Sequence, residues 1–204
     1  MRAGAAADDA LAARRNARRV CSAREIARAL QRMADAITAD LAGADPVVLA
    51  VMHGGAFAAV EICRRLRFPY ELDFVHVTRY ARGTHGGEIE WRVRPSAELT
   101  GRTVLVVDDV LDRGHTLRAL GAELKKVGVA RQRTAVLVVK RVANARARPK
   151  VDYRGVEVDD VYLFGCGMDY RGYWRGLPAL YALPSARPRP TKKRLRLRQR
   201  RTRM

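Results

Sequence analysis

Between positions 103 and 117 the chain sets three carboxylates, Asp108, Asp109 and Asp112, just ahead of Arg113, Gly114, His115 and Thr116. These residue types at this spacing suit a phosphorylated sugar. Backbone N–H groups and a hydroxyl at the start of a helix hold a phosphate. Neighbouring acids meet sugar hydroxyls, or a divalent cation that carries further phosphate. A lone acid ahead of a helix often does no more than cap it and oppose its dipole. An acid pair, a third acid three residues on, and then Gly114 and Thr116 exceed what capping needs.

The flanking residues say how this string is held. Residues 103–107 form a short β-branched and apolar run, the pattern of a strand buried on both faces of a parallel sheet. Leu117, Leu120 and Leu124 follow at helical spacing. Residues 47–52 are a second apolar run, which ends in His53, Gly54 and Gly55 and passes into a helix through Arg65. Residues 134–139 are a third, ending in Lys140. Residues 72–78 read as a further strand and residues 89–93 as the returning half of a β-ribbon. Between them residues 80–88, with Gly83, Gly86 and Gly87, read as a long mobile loop. Ser22 and Glu25 form a capping box for a helix whose Ile26, Leu30, Met33 and Ile37 share one face, and Gly43 and Pro46 close it. Residues 156–164 supply one or two more short strands.

Strands that alternate with helices imply right-handed crossovers and an α/β architecture, an open, mainly parallel sheet flanked by helices. Ligands of such sheets sit at the carboxyl ends of the strands. His53 and Gly54, residues 108–116 and Lys140 all follow such ends, so three distant segments are expected to converge.

The 204 residues suffice for one domain with tails. The net charge of +19 is uneven, because residues 185–204 hold ten Lys or Arg and no acid. That stretch lacks apolar residues for a core and reads as a disordered basic tail, open to non-specific nucleic-acid contact. Cys21, Cys63 and Cys166 are odd in number and lack metal-ligand spacing, as in a reduced, cytoplasmic protein without disulfides or structural zinc. No apolar run approaches the ~18 residues of a membrane span, and the start of the chain lacks the apolar segment of a signal peptide. Residues 1–21, rich in Ala and Arg, read as a loose N-terminal leader.

The string from Asp108 to Thr116 resembles the phosphoribosyl-pyrophosphate motif of the type I phosphoribosyltransferases. The order of features over about residues 47–183 resembles the hypoxanthine-guanine branch. The resemblance rests on residues 51–55, the Arg79 and Tyr80 loop, residues 108–116, Lys140, and residues 160–170 followed by Arg175. It implies the type I fold, with a small hood and a flexible β-ribbon loop, over a domain of residues 22–184. It also implies Mg²⁺ as cofactor, phosphoribosyl pyrophosphate and a purine base as substrates, and a homodimer or homotetramer. The activity implied is purine salvage, in which hypoxanthine or guanine becomes IMP or GMP and pyrophosphate leaves.

Residue by residue, the resemblance gives Asp108 and Asp109 to the ribose hydroxyls, directly or through Mg²⁺. It makes Asp112 the general base for the purine N7 proton. Arg113, Gly114, His115 and Thr116 would cradle the 5′-phosphate, and the backbone of His53 and Gly54 the pyrophosphate. Lys140 would donate to the 6-oxygen of the base, Tyr162 stack on its ring, and Leu163 offer backbone groups to its edge. Asp169 would reach a second Mg²⁺, Arg175 the pyrophosphate, and Tyr80 belong to a lid. Two positions depart from the family pattern: His53 stands where many relatives carry lysine, and Arg113 where a small, acidic or threonine residue is usual. A different class is also open, an RNA-binding regulator on the same fold, as is a transferase for another base such as xanthine or orotate.

Overall fold

The computed structural model describes residues 2–79, 89–142, 146 and 148–184. Strands β2 (Val47–Val51), β3 (Glu71–Arg79), β4 (Ile89–Val93), β5 (Thr103–Leu111), β6 (Arg131–Arg141) and β7 (Tyr153–Asp159) form one sheet in the order β4-β3-β2-β5-β6-β7. All neighbours run parallel except β4, which returns antiparallel along β3 and pairs Ile89 with Arg79 and Val93 with His76. The expected α/β class and β-ribbon are both present.

The continuous apolar runs have the cause the sequence suggested: helices cover both faces, and side chains alternate between them. Val47, Leu49 and Val51 of β2, with Val104 and Val106 of β5, pack against Leu117, Leu120 and Leu124 of helix α4 (His115–Val127). Val48, Ala50, Leu105 and Val107 point the other way. They meet Ile26, Leu30, Met33 and Ile37 of α2 (Ala23–Leu41) and Ala58, Ala59 and Ile62 of α3 (Gly55–Cys63). The leucines and valines of β2 and β5, Val110 excepted, are almost wholly buried, each contributing about 1.5–3 kcal/mol relative to exposure. Helix α2 starts at the capping box read from the sequence: the Ser22 hydroxyl accepts from Glu25 N–H, and the Glu25 carboxylate accepts from Ser22 N–H at 2.7 Å.

A second, small antiparallel sheet, in the order β1-β9-β8, joins β1 (Arg18–Cys21), β9 (Leu180–Ala182) and β8 (Leu163–Phe164) into the hood. Residues 1–21 are therefore not a loose leader. Arg2–Asn16 forms helix α1 and Arg18–Cys21 is a hood strand. Alanine is the strongest helix former, and α1 docks through two small buried residues, Ala10 and Ala13, a stripe too narrow to register as apolar periodicity. The basic tail lies outside the described residues. Cys21, Cys63 and Cys166 are free thiols, and burial pushes the Cys166 thiol up to about 12. No helix of the described residues is long and apolar enough to cross a membrane.

Candidate active site

The parallel strands β2, β5 and β6 deliver their carboxyl ends to one edge of the sheet, where a cleft of about 500 Å³ is lined by His53, Gly54, residues 108–116 and Arg175. A second cavity, about 560 Å³, lies between α2 and α3 and is walled by apolar side chains, with Glu61 and Arg65 at its edge paired to each other at 2.6 Å. It offers nothing comparable to the acids of the first.

Strand β5 runs further than the apolar run foretold. It continues to Leu111, in register with Val139 of β6, so Asp108 and Asp109 are inside the strand and not beyond it. Each is only 9% exposed. Asp109 N–H donates to Asp108 Oδ1 at 2.9 Å. Burial pushes both carboxyls above the usual carboxylate range, and the charge of Asp109 pushes Asp108 further, while Arg175 opposes the rise at Asp109. Two anions forced together in a dry site demand a cation or hydroxyl donors.

Gly54 has ordinary helical backbone angles, and a Cβ there would strike the Asp109 carboxylate. The absence of a side chain is thus required by the acid pair itself, before any ligand is considered. Gly114 is different: its φ of +74° is left-handed, and a Cβ would also meet Pro149. It turns the chain from β5 into α4, and no side chain caps that helix. The first turn of α4, at His115 and Thr116, therefore lines the cleft with N–H groups that receive no cap from the N-cap residue.

At the other side Lys140, whose side chain is 13% exposed, stands between Asp112 Oδ2 at 3.6 Å and Asp160 Oδ1 at 3.4 Å. Asp112 Oδ1 is buried and has no hydrogen-bond partner among the described residues. An orphaned buried carboxylate oxygen is costly, and here it belongs to a group whose other oxygen faces the Lys140 ammonium.

Tyr162 lies two residues beyond Asp160. It is half exposed, and its hydroxyl donates to the Asp169 carbonyl at 3.1 Å. Leu163 buries its side chain and is in register with Ala182. The Asp169 carboxylate pairs with Arg175 at 2.6 Å and accepts from Gly172 N–H, and Arg175 donates to the Gly167 carbonyl at 2.7 Å. Among the described residues no three His, Cys, Asp or Glu side chains form a metal cage. The Asp108 and Asp109 pair fits the other habit of Mg²⁺, binding by one or two carboxylates together with substrate oxygens. Tyr80 and the glycine-rich run after it lie outside the described residues.

Three neighbours of the site were not singled out from sequence. Asp160 balances Lys140, and the sequence offered it only as the first residue of the string 160–170, without a role. His76 on β3 meets His53 edge to face, ring centroids 4.5 Å apart, and burial followed by the charges of His53 and Arg92 lowers its pKa. Arg148 gave no signal in its Ala/Arg-rich surroundings, yet its guanidinium donates to the carbonyls of Lys140 at 2.7 Å, Asp112 at 3.2 Å and Leu111 at 3.5 Å.

The model of the phosphoribosyl transferase domain matches residues 18–171. The chain belongs to that family. A hypoxanthine-guanine phosphoribosyltransferase of Streptococcus pneumoniae is 29% identical over 163 residues, 78% of this chain and 88% of that protein. The bifunctional protein TilS/HprT of Listeria innocua is 29% identical over 155 residues, but the chain spans only 24% of its length. The crystal structure of a hypoxanthine phosphoribosyltransferase from Staphylococcus aureus superposes with a TM-score of 0.75 at 23% identity, over 82% of this chain and 91% of that one. This likeness shows the fold: a phosphoribosyltransferase sheet with a hood.

Arg148 gathers the main chain on both sides of this phosphoribosyltransferase cleft. Removing it as Arg148→Ala leaves three carbonyls short of a charged donor and should lower stability by about 2 kcal/mol. It should also raise KM for the phosphorylated substrate roughly 10-fold. Thermal melting and steady-state kinetics read both effects; unchanged KM would confine Arg148 to the fold.

Proposed function

We propose that this chain is a purine salvage enzyme, joining hypoxanthine or guanine to phosphoribosyl pyrophosphate to give IMP or GMP and pyrophosphate. The observation that carries the reading is the line of Asp160, Lys140 and Asp112 at the ends of β7, β6 and β5, beside the buried Asp108 and Asp109 pair. One half suits a 6-oxopurine and the other an activated ribose.

In the reaction the C1–N9 bond forms as the C1–oxygen bond to pyrophosphate breaks, and C1 gains oxocarbenium character. Asp108 and Asp109 hold the ribose hydroxyls and pull them into a water-poor site. Asp112, whose side chain lines the cleft and is about half exposed, accepts the purine N7 proton. Lys140, already desolvated and flanked by two acids, donates to the 6-oxygen; a 6-amino group cannot accept that bond, which favours oxopurines over adenine. Tyr162 stacks on the base, while Leu163 offers main-chain groups to its edge. The α4 turn of Arg113, Gly114, His115 and Thr116 holds the 5′-phosphate. His53, Gly54 and Arg175 hold pyrophosphate, and the lid role of Tyr80 falls outside the described residues. Asp108 and Asp109, together with substrate oxygens, would hold Mg²⁺, which would supply charge neutralisation for the leaving pyrophosphate. For Asp169 to hold a second ion, its carboxylate would have to give up part of its pairing with Arg175. A homodimer or homotetramer and a cytoplasmic setting belong to the same reading.

The test is one assay of five bases with phosphoribosyl pyrophosphate and Mg²⁺. Hypoxanthine or guanine should turn over at least 10²-fold faster than adenine. Preference for xanthine or orotate would move the substrate. No turnover of any base would leave the RNA-binding class, to be read by salt-dependent retention of RNA.

A further inference from the structure

Helix α1 lies ahead of the segment matched by the family, and it belongs to neither of the two core clusters. Its side chains reach instead for one turn of the hood. The Asp9 carboxylate accepts from the Tyr170 hydroxyl at 2.9 Å and pairs with Arg171 at 2.9 Å. The Ala10 carbonyl accepts from Trp174 Nε1–H at 2.7 Å. Arg14 donates to the Tyr181 hydroxyl at 2.8 Å and lies over that ring.

The turn so gripped is strained. Arg171 has φ +49° and Trp174 φ +71°, left-handed values that side-chain-bearing residues rarely adopt and that need outside support. It also connects straight to the cleft. Asp169 and Arg175 flank it and pair with each other. The Tyr170 ring meets Tyr162 at 6.1 Å, and Tyr162 is tied to the Asp169 carbonyl. Two contacts of α1, at Tyr170 and Trp174, are thus one residue from Asp169 and Arg175.

We propose that α1 is a positioning element of the site, Asp9 and the Ala10 carbonyl holding residues 169–175 in the conformation that presents Arg175 and Tyr162 to the cleft. This rests on the phosphoribosyltransferase reading and adds to it a segment outside the family's matched region. Asp9 touches no substrate and acts through Tyr170 and Arg171. A helix that only shielded the hood would lower stability when loosened and leave substrate affinity alone.

The experiment compares full-length wild type, Asp9→Ala, Asp9→Asn and Trp174→Phe. In Asp9→Ala, KM for phosphoribosyl pyrophosphate should rise roughly 5- to 20-fold while kcat moves less than about 3-fold. Asp9→Asn keeps an acceptor for Tyr170 and should recover part of the loss, and Trp174→Phe should resemble Asp9→Ala. Hydrogen exchange of the Gly167 and Gly172 amides, which now bond Arg175 and Asp169, should quicken about 10-fold in Asp9→Ala. A wild type that turns over while Asp9→Ala matches it in KM and in exchange overturns the proposal and spares the reading. A wild type that turns over no base removes the reading and the proposal with it. Equal loss of melting temperature and of kcat, with KM unmoved, marks a purely structural helix and also overturns it.

Discussion

Asp108→Asn should melt at a higher temperature than the wild type and lose most of its activity. Asp108 and Asp109 are adjacent, buried and both pushed above the usual carboxylate range, chiefly by burial and, at Asp108, by its neighbour's charge. The sign of the pH effect follows. Between the unfolded carboxylate pKa, about 4, and the raised folded values, the folded chain keeps protons that the unfolded chain has released. Stability is therefore greatest below that window and falls as pH rises through it. Asparagine keeps an oxygen to accept the Asp109 N–H and adds donors beside the Asp109 carboxylate, so it imitates the protonated acid at every pH. At pH 7 this should stabilise the ligand-free protein by about 1–3 kcal/mol, roughly 3–10 °C in melting temperature. The same change removes a carboxylate from the proposed ribose site, and kcat/KM should fall about 10²-fold or more. Added phosphoribosyl pyrophosphate and Mg²⁺ should raise the melting temperature of the wild type more than that of the variant. Full activity in Asp108→Asn would remove the residue from the site, and a lower melting temperature at pH 7 would show the pair to be well compensated.

That trade explains which parts of the molecule were legible in the sequence. Residues 47–52, 103–107 and 134–139 announced the central strands because burial on both faces leaves no polar alternation. Leu117, Leu120 and Leu124 announced α4 because one face of it is buried and the other wet. The acid string was legible because it violates the same rule: a buried strand has no structural use for Asp108 and Asp109, so their presence points to a ligand. Helix α1 failed that logic. Apart from the small Ala10 and Ala13, its docking is polar, through Asp9, Arg14 and a main-chain carbonyl, onto residues more than 160 positions away. Arg148 escaped for a similar reason, since its partners are carbonyls and carbonyls carry no residue signature. The His53 and His76 contact depends on the β2 and β3 register, which sets Val51 beside Val75, and a register between parallel strands is not written in either strand alone. From the sequence His53 is a backbone ligand for pyrophosphate and a departure from lysine. In the fold it comes with a second imidazole.

Asp112→Asn tests the chemistry at its centre. The side chain divides its two oxygens between two tasks: Oδ2 faces Lys140 at 3.6 Å, while Oδ1 is buried without a partner among the described residues. A group serving only the fold would have both satisfied. Under the proposed reading the carboxylate takes the N7 proton, and asparagine cannot, so kcat should fall about 10²- to 10⁴-fold. Lys140 retains Asp160 at 3.4 Å, so the ammonium is not left alone in its pocket, and asparagine fills the same volume. The melting temperature should therefore move by no more than about 2–4 °C, the equivalent of roughly 1 kcal/mol, and KM for phosphoribosyl pyrophosphate should hardly change. This combination separates proton transfer from binding, because a lost ground-state contact would raise KM with kcat intact. Turnover equal to wild type would take Asp112 out of the reaction. A fall in kcat accompanied by a collapse in stability would assign the carboxylate to holding Lys140 and leave the base to be sought elsewhere in the cleft.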